Sequence, residues 1–325
     1  MAILEVDNLR TYFKTMRGDV KAVDGVSFEV QKGEAMGLAG ESGCGKTTTA
    51  LSVLKILPSN GRIVEGKIIF NNVDIAKYSE DEMREKIRWK GISLVFQGAM
   101  NAMNPVLKVG DQIVEAIQLH ELDVERKDAQ ERARKLLEIV GINPTRIDSY
   151  PHEFSGGMRQ RAMIAMALAS NPEIVIADEP GTALDVIVAA QVLKLLKELK
   201  EKLNLAMILI THDLSIIAEI CEKTAIMYAG RIAEYGDVVA IFKEPLHPYT
   251  QGLIGAFPNI KDKQRIRMRS IPGSPPNLLD PPTGCRFHPR CEYAMDICKK
   301  EEPKLVQVGK SHSVSCHLVN RKKEE

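Results

Sequence analysis

The chain has 325 residues, of which 44% are hydrophobic, and its 44 basic and 43 acidic residues leave a net charge of +1. This length suits one large domain with an appendage, and the balanced charge gives no electrostatic reason to expect nucleic acid as a partner. No apolar run approaches the roughly 18 residues that cross a bilayer, and the first residues, MAILEVDNLR, do not have the pattern of a signal peptide. We therefore expect a cytoplasmic protein that reaches a membrane only through partners.

The N-terminal part of the chain has the pattern of strands around a glycine-rich loop. Alternating apolar positions predict short strands at Ile3–Val6 and Val26–Val30, and a strand at Ala35–Ala39 leads into the loop. A helix is predicted from about Lys46 to Leu57, followed by a strand at Lys67–Phe70.

The loop itself, GESGCGKT, matches the phosphate-binding pattern G-x-x-x-x-G-K-[ST] between a strand and a helix. Glycines let the backbone curl so that its N–H groups point at phosphate oxygens. Lys46 is placed to pair with the β- and γ-phosphates of a nucleotide, and Thr47 to offer its hydroxyl to Mg²⁺. The alternative is a glycine-rich turn with a chance lysine. The predicted nucleotide-binding residues here are Gly40, Glu41, Ser42, Gly43, Cys44, Gly45, Lys46, Thr47 and Thr48.

The middle of the chain is helical and then alternates between strands and helices. Apolar residues at three- and four-residue steps predict helices at Val109–His120 and Ala129–Val140, within a helical insertion from about 98 to 170. The alternation that follows is typical of an α/β fold with a parallel sheet built from βαβ units. Its predicted elements are strands at 174–177 and 206–210, helices at 186–203 and 214–222, and a closing hairpin of 224–228 with 231–235.

Polar side chains follow the apolar strands of this predicted sheet, where ligands of parallel sheets bind. Asp178 is placed to hold Mg²⁺, and Glu179 to activate a water molecule as general base. Gln97 is a candidate for Mg²⁺ and water, and His212 for the γ-phosphate. The alternative for the acidic pair is two solvated carboxylates at a strand end.

The last 80 residues have a different character, with many prolines and four cysteines in a C-x5-C-x6-C-x17-C spacing. Four thiolates suit an iron–sulfur cubane or zinc, and these wide gaps disfavour zinc. Free thiols and two disulfides are the remaining alternatives, of which disulfides suit a reducing cytoplasm poorly. The candidate ligands are Cys285, Cys291, Cys298 and Cys316.

A family resemblance enters at Ser155-Gly156-Gly157, which is similar to the signature motif of ATP-binding cassette (ABC) ATPases. Phe154 and Met158 replace the usual leucine and glutamine, while the serine and glycines are kept. The resemblance spans about residues 3–245. It implies a P-loop NTPase fold with a RecA-like core, an N-terminal antiparallel β subdomain and a helical subdomain at about 98–170.

The same resemblance implies that two cassettes sandwich two ATP molecules head to tail. In that arrangement Ser155, Gly156, Gly157 and the D-loop residue Asp185 contact the nucleotide of the opposite subunit. Gly181 stands where the family usually has threonine. Phe13 lies where the family stacks an aromatic ring on adenine, with Tyr12 as the fallback; core packing is the alternative for both rings.

The extension, residues 246–325, resembles the ATPase subunits of dipeptide and oligopeptide importers through HPYT, the prolines and CRFHPRC. This implies a small irregular metal-binding extension whose four cysteines hold a [4Fe-4S] cluster. It also implies ATPase activity coupled to peptide uptake at the cytoplasmic face of the cell membrane. The implied partners are a second ATPase subunit, two membrane-spanning permeases and, indirectly, an extracytoplasmic peptide-binding protein.

Other functions stay open at this point. The same machinery could import another small solute, such as nickel or a glycan. A non-transport ABC protein acting on ribosomes or DNA is disfavoured by the single cassette, the lack of a long heptad run and the charge balance. A redox-sensing module is disfavoured as the main role because the cassette has all its motifs.

Overall fold

The computed structural model describes residues 2–98, 102–256 and 271–321. The strands are β1 (Ala2–Thr15), β2 (Gly18–Gln31), β3 (Ala35–Ala39), β4 (Gly61–Phe70), β5 (Val73–Asp74), β6 (Ile92–Val95), β7 (Ile174–Asp178), β8 (Ala206–Ile210), β9 (Lys223–Tyr228), β10 (Arg231–Asp237), β11 (Val306–Gly309) and β12 (His312–Val314). The helices are α1 (Lys46–Val53), α2 (Glu80–Glu82, continued by a π-turn at Met83–Ile87), α3 (Val109–His120), α4 (Arg126–Ile139), α5 (Gly156–Ala167), α6 (Val186–Leu203), α7 (Leu214–Ile220), α8 (Val238–Lys243), α9 (Pro248–Gly255), α10 (Asp296–Lys300) and α11 (His317–Arg321). Within the described ranges, no helix is long and apolar enough to cross a membrane.

The chain divides into two units. The helical unit comprises Val30–Ala35 and Lys77–Ile210, and the terminal unit comprises Ala2–Glu29, Met36–Ala76 and Thr211–Glu325. The terminal unit therefore contains both the N-terminal strands and the cysteine-rich extension. The predicted domain boundary at residue 245 falls inside this unit and stays a prediction.

An antiparallel sheet in the terminal unit has the strand order β2-β1-β4-β5. Strand β1 pairs with β4 in a register that sets Leu4 opposite Phe70 and Val6 opposite Ile68, and all four side chains are buried. Strands β1 and β2 have 14 residues each, so the short strands predicted from the alternating positions are only parts of longer ones. The antiparallel N-terminal strands implied by the resemblance are present.

The terminal unit also contains the strands that carry the glycine loop and the extension. Strand β3 pairs in parallel with β9, and β9 pairs antiparallel with β10. The turn between β9 and β10 has left-handed backbone at Ala229 (φ 48°) and Gly230 (φ 82°), which confirms the predicted hairpin. Strand β12 of the extension then pairs antiparallel with β10, and β11 with β12.

The helical unit has a parallel sheet of β6, β7 and β8, in that order. The predicted strand at 206–210 and helices at 109–120 and 186–203 are confirmed. Helices α3 and α4 each bury one apolar face, with Ile113, Ile117 and Leu137 fully buried. The parallel pairing brings the carboxyl ends of β6 and β7 to the same edge of the sheet, which positions the polar residues that follow them.

Candidate functional site

The glycine loop in the terminal unit depends on glycine at two positions. Gly40 (φ 143°) and Gly45 (φ 107°) have backbone conformations that side-chain-bearing residues rarely adopt. A Cβ at Gly40 would lie 2.2 Å from the carbonyl oxygen of Met227, and one at Gly45 would lie 2.3 Å from that of Ala22. The loop backbone can therefore pack this closely against the neighbouring backbone only because both residues lack a side chain.

Helix α1 begins at Lys46, and its N-cap residue, Gly45, makes no side-chain hydrogen bond to the amides of the first turn. Uncapped N–H groups at a helix start attract anions. The Lys46 ammonium is buried in the curl and donates to the carbonyl oxygens of Gly40 (2.8 Å) and Glu41 (3.0 Å). Thr47 is exposed, and Thr48 is half-buried. These features suit phosphate binding.

The Cys44 side chain is buried beside Lys46 in the loop. Its sulfur lies 3.7 Å from the Lys46 ammonium, and burial raises the pKa of the thiol. A thiol that is buried and protonated is a poor nucleophile, so Cys44 contributes to the loop through its backbone and its small size.

Glu179 and Gln97 meet in the helical unit. Gln97 follows β6, Glu179 follows β7, and Gln97 Nε2 donates to Glu179 Oε2 at 3.0 Å. Thr182 Oγ1 donates to the same carboxylate oxygen at 2.9 Å. Glu179 has left-handed backbone (φ 46°), and Asp178, the last residue of β7, is buried. The strand ends thus assemble a carboxylate, an amide and a hydroxyl in direct contact. Thr182 was not among the residues predicted from the sequence, although a hydroxyl three residues after Glu179 was a usable signal.

The signature segment forms the start of α5 in the same unit. Ser155 is the N-cap, and its Oγ accepts from the backbone N–H of Met158 at 3.3 Å. Gly157 packs against α6, where a Cβ would lie 2.4 Å from Val188 Cγ1. Phe154 is buried, with the Arg146 guanidinium over its ring. Phe154, which replaces the usual leucine, therefore still packs as a buried apolar side chain. Ser155 is exposed at the N-terminus of α5, where anions bind.

Asp185 has a structural contact that the resemblance did not imply. Its Oδ1 accepts from the backbone N–H groups of Ile187 (3.1 Å) and Val188 (3.0 Å), which caps α6. Val186 and Ile187 beside it are strongly exposed apolar residues. Gly181 lies close to the same helix, because a Cβ there would approach Ala189 Cβ at 3.2 Å.

The predicted adenine and γ-phosphate contacts lie in the terminal unit. Phe13 is half-buried in β1, opposite Gly61 of β4. The fallback, Tyr12, donates its hydroxyl to Asp24 Oδ1 at 2.7 Å. His212 is exposed just before α7. The roles of Phe13 and His212 stay predictions.

The four cysteines of the extension are free thiols and electrostatic neighbours. Burial raises the pKa of Cys285 and of Cys316 to about 11, and each of these two thiols feels the charges of Cys291 and Cys298. The backbone at Phe287, Tyr293 and Leu318 favours the ionised form of Cys285, Cys291 and Cys316, respectively, and so opposes the rise in pKa. Four thiols are a donor set whose chemistry fits a thiolate-bound group.

The ligand geometry predicted from the resemblance is not shown. Across residues 2–98, 102–256 and 271–321, no group of three or more His, Cys, Asp or Glu side chains is arranged to hold a metal ion. This applies to the four cysteines, because neighbouring thiols are insufficient unless their sulfurs converge. It applies equally to a preformed Mg²⁺ site of protein side chains, and Mg²⁺ usually takes several ligands from phosphate and water.

Known families match both the cassette and the C-terminal extension. A family model described as "ABC transporter" matches residues 23–182, and one described as "Oligopeptide/dipeptide transporter, C-terminal region" matches residues 233–298. The dipeptide transport ATP-binding protein DppD of Bacillus subtilis is 45% identical, covering 99% of this chain and 96% of its own length. The oligopeptide transport ATP-binding protein OppD of Escherichia coli is 47% identical, covering 93% and 89%.

A solved structure supports the fold. The ATP-binding cassette MJ0796, a dimer bound to ADP and Pi in a post-hydrolysis state, superposes with a TM-score of 0.64 at 25% identity. The match covers 72% of this chain and 98% of that one. The α/β P-loop fold implied by the resemblance is thereby confirmed.

Proposed function

We propose that this chain, which belongs to the ABC transporter ATPases, is the ATP-hydrolysing subunit of a peptide importer. Within that family it belongs with the ATP-binding proteins of dipeptide and oligopeptide transporters. The observation that carries this proposal is the length of the match. Relatives named for dipeptide or oligopeptide transport align over 93–99% of the chain, including the extension.

The residues of the terminal unit support nucleotide binding. The curled loop and the uncapped start of α1 offer backbone N–H groups to the phosphates, and Lys46 supplies the matching positive charge. As separate assignments, Thr47 of this unit and Gln97 and Asp178 of the helical unit are the proposed Mg²⁺ ligands, and Mg²⁺ neutralises phosphate charge when bound. We assign Phe13 to the adenine ring and His212 to the γ-phosphate.

Glu179 is the proposed general base for water. Gln97 and Thr182 both donate to its Oε2, which fixes the direction of the carboxylate before the reaction. Phosphoryl transfer to water depends mainly on positioning and electrostatic stabilisation, so a carboxylate held by two donors suits this role.

The test is Glu179→Gln. We expect ATP binding to persist while hydrolysis falls about 10²-fold or more, the range for a lost general base. The measurements are equilibrium binding of a fluorescent ATP analogue and phosphate release at saturating ATP. Lys46→Ala is the matched control, which should lose binding itself. Near-normal turnover of the Gln variant would refute the role of Glu179.

The helical unit supports a second cassette as partner. Ser155 is exposed at the start of α5, and Val186 and Ile187 expose apolar surface beside Asp185. We assign Ser155, Gly156, Gly157 and Asp185 to the nucleotide of that partner. Glu179→Gln should accumulate ATP-dependent dimers in light scattering, alone or with a paralogous ATPase, and Ser155→Arg in the same background should abolish them. Dimers that form without ATP would contradict the assignment.

Peptide uptake at the cytoplasmic face of the membrane, through two permeases and an extracytoplasmic binding protein, is the remaining part of the proposal. The test is uptake of labelled di- and oligopeptides by membranes that contain the whole complex, with the Glu179→Gln complex as control. ATP-dependent uptake of nickel or a glycan, with none of peptides, would assign the same machinery to another solute.

We further propose that the four cysteines of the extension bind a [4Fe-4S] cluster. The four thiols of this segment, and the backbone groups that favour the ionised form of three of them, support this. Protein purified without oxygen should be brown and contain about four iron and four sulfide per chain, as a cubane requires. A colourless, zinc-loaded protein would contradict the proposal. Cys291→Ser should lose the absorption band, whereas Cys221→Ser should keep it.

A further inference from the structure

The glycine loop contains an acidic residue at its second position. Glu41 directly follows Gly40, and its side chain is one-quarter exposed. A carboxylate in a loop that binds a polyphosphate opposes binding, because like charges at short range repel each other. The loop therefore needs something that neutralises Glu41 and holds it away from the phosphates.

Arg290 of the extension supplies this charge. Its Nη1 donates to Glu41 Oε2 at 2.6 Å and its Nη2 donates to Glu41 Oε1 at 3.0 Å, so the two side chains form a bidentate ion pair. The Arg290 side chain is almost fully buried, and its Nε donates to the carbonyl oxygen of Pro272 at 2.7 Å. Its guanidinium also lies over the ring of Tyr228. The contacts with Pro272 and Tyr228 hold the Arg290 side chain in place independently of Glu41.

Tyr249, from the HPYT segment, holds the backbone of the same residue. Its hydroxyl accepts from the backbone N–H of Glu41 at 2.9 Å. The side chain is fully buried, and its ring packs against those of Tyr228 and Phe287. The beginning of the loop is thus held through both its side chain and its backbone by residues more than 200 positions away.

We propose that Arg290 and Tyr249 are positioning residues for ATP binding: they hold Glu41 so that the loop keeps its phosphate-binding curl and presents no uncompensated negative charge to the nucleotide. This rests on the proposed function of the loop. It gives the C-terminal extension a part in ATP affinity, separate from any role of the cysteines.

A purely structural role and a positioning role predict different results. If Arg290 only stabilises the fold, Arg290→Gln lowers the melting temperature and leaves nucleotide affinity unchanged. If it compensates Glu41, the variant exposes a negative charge beside the phosphates. ATP affinity then falls, the loss shrinks as salt screens the charge, and a second change that removes the charge of Glu41 restores binding.

The experiment is an equilibrium titration of the full-length chain with a fluorescent ATP analogue at low and high salt. We expect Arg290→Gln to weaken binding about tenfold, equivalent to about 1.4 kcal/mol. The double variant Glu41→Gln with Arg290→Gln should return to within about threefold of the parent, since the carboxylate is gone. Tyr249→Phe, which removes only the hydroxyl, should also weaken binding. In steady state, KM for ATP should rise by more than kcat falls, because loop contacts act on ground and transition states alike.

Arg286→Gln is the matched control. It breaks a buried arginine–carboxylate pair from the same extension, to Asp24, without touching Glu41. It should lower thermal stability and leave ATP affinity unchanged. If Arg290→Gln does not fold, Arg290→Lys, which keeps the charge but loses the fork, should weaken binding to a smaller extent.

Two results would overturn the proposal: unchanged affinity in Arg290→Gln despite a lower melting temperature, or no recovery in the double variant. A parent chain that binds no ATP analogue would instead contradict the proposed function.

Discussion

Asp24 is a buried carboxylate that contacts four other side chains in the terminal unit. Its substitution should lower the free energy of unfolding by much more than the substitution of an exposed carboxylate. Only 3% of the residue is exposed. It forms ion pairs with Arg286, with Arg231 (2.9 Å) and with Arg10 (3.3 Å), and it accepts from the Tyr12 hydroxyl. Burial alone would raise the pKa of Asp24, but the tyrosine and the arginines outweigh it and hold the pKa below the ordinary value. The group is therefore ionised at neutral pH.

The perturbation is Asp24→Asn, which keeps the shape and removes the charge. The substitution removes the negative charge that Arg286 and Arg231 share. Because the Arg286 side chain is almost fully buried, its positive charge is then left uncompensated away from water. Breaking a buried pair by removing one partner costs about 3–5 kcal/mol. For a chain of 325 residues, that corresponds to a melting temperature lower by roughly 4–7 °C.

The assay is thermal and urea unfolding at pH 7, with Asp19→Asn as the matched control. Asp19 also makes a two-pronged pair, to Arg62, but both side chains are more than one-third exposed. Such surface pairs contribute about 0–1 kcal/mol. Equal losses of stability in the two variants would refute the reasoning that burial makes the Asp24 network costly to break.

Three further predictions follow from single contacts. Gly157→Ala should destabilise the chain by about 1–3 kcal/mol in urea unfolding, because its Cβ would meet Val188 Cγ1 at 2.4 Å, and adding Val188→Ala should restore stability. Thr182→Val removes a donor to Glu179, so kcat for phosphate release should fall while the Kd for ATP stays constant. Burial lowers the pKa of His247 from 6.5 to about 4, so between these pH values the unfolded chain binds a proton that the native chain does not bind. Stability that is full above pH 6.5 should decrease as the pH falls towards 4, by up to about 3 kcal/mol, and urea unfolding of His247→Asn should show a smaller decrease.

Local patterns predicted the central elements of the fold well. The strand at 35–39, the helix at 186–203 and the hairpin around Gly230 follow from apolar periodicity and turn residues. Helix α1 ends at Val53, earlier than predicted, because Lys55 has left-handed backbone (φ 52°) that its sequence does not signal.

Pairing with distant strands explains most of what the sequence could not predict. Strand β4 begins at Gly61, because β1 supplies its hydrogen-bonding partners and Gly66 (φ 106°) fits beside β1 with no Cβ. Strands β11 and β12 have only four and three residues and depend on β10 for their register. Segments this short have too few positions to show a period.

In the candidate site too, features set by local sequence were predictable and contacts between distant residues were not. The loop, Glu179 and Gln97 were predictable because motifs and strand ends place them locally. The contact between Gln97 and Glu179 follows from the parallel pairing of β6 and β7. The contacts of Glu41 with Tyr249 and Arg290 had no local signal, since nothing in the sequence near Glu41 indicates a partner some 200 residues later.

These distant contacts bear on what the extension does within the terminal unit. Three acidic residues that precede the extension have hydrogen-bonding partners in it: Asp24 with Arg286, Glu41 with Arg290, and the fully buried Glu234 with His312 (2.6 Å). A buried carboxylate that loses a partner is destabilised, so these contacts tie the extension to the strands and the loop that precede it. The extension is therefore part of the folded terminal unit, and its link to Glu41 gives it a direct route to the nucleotide loop whether or not the cysteines hold a cluster.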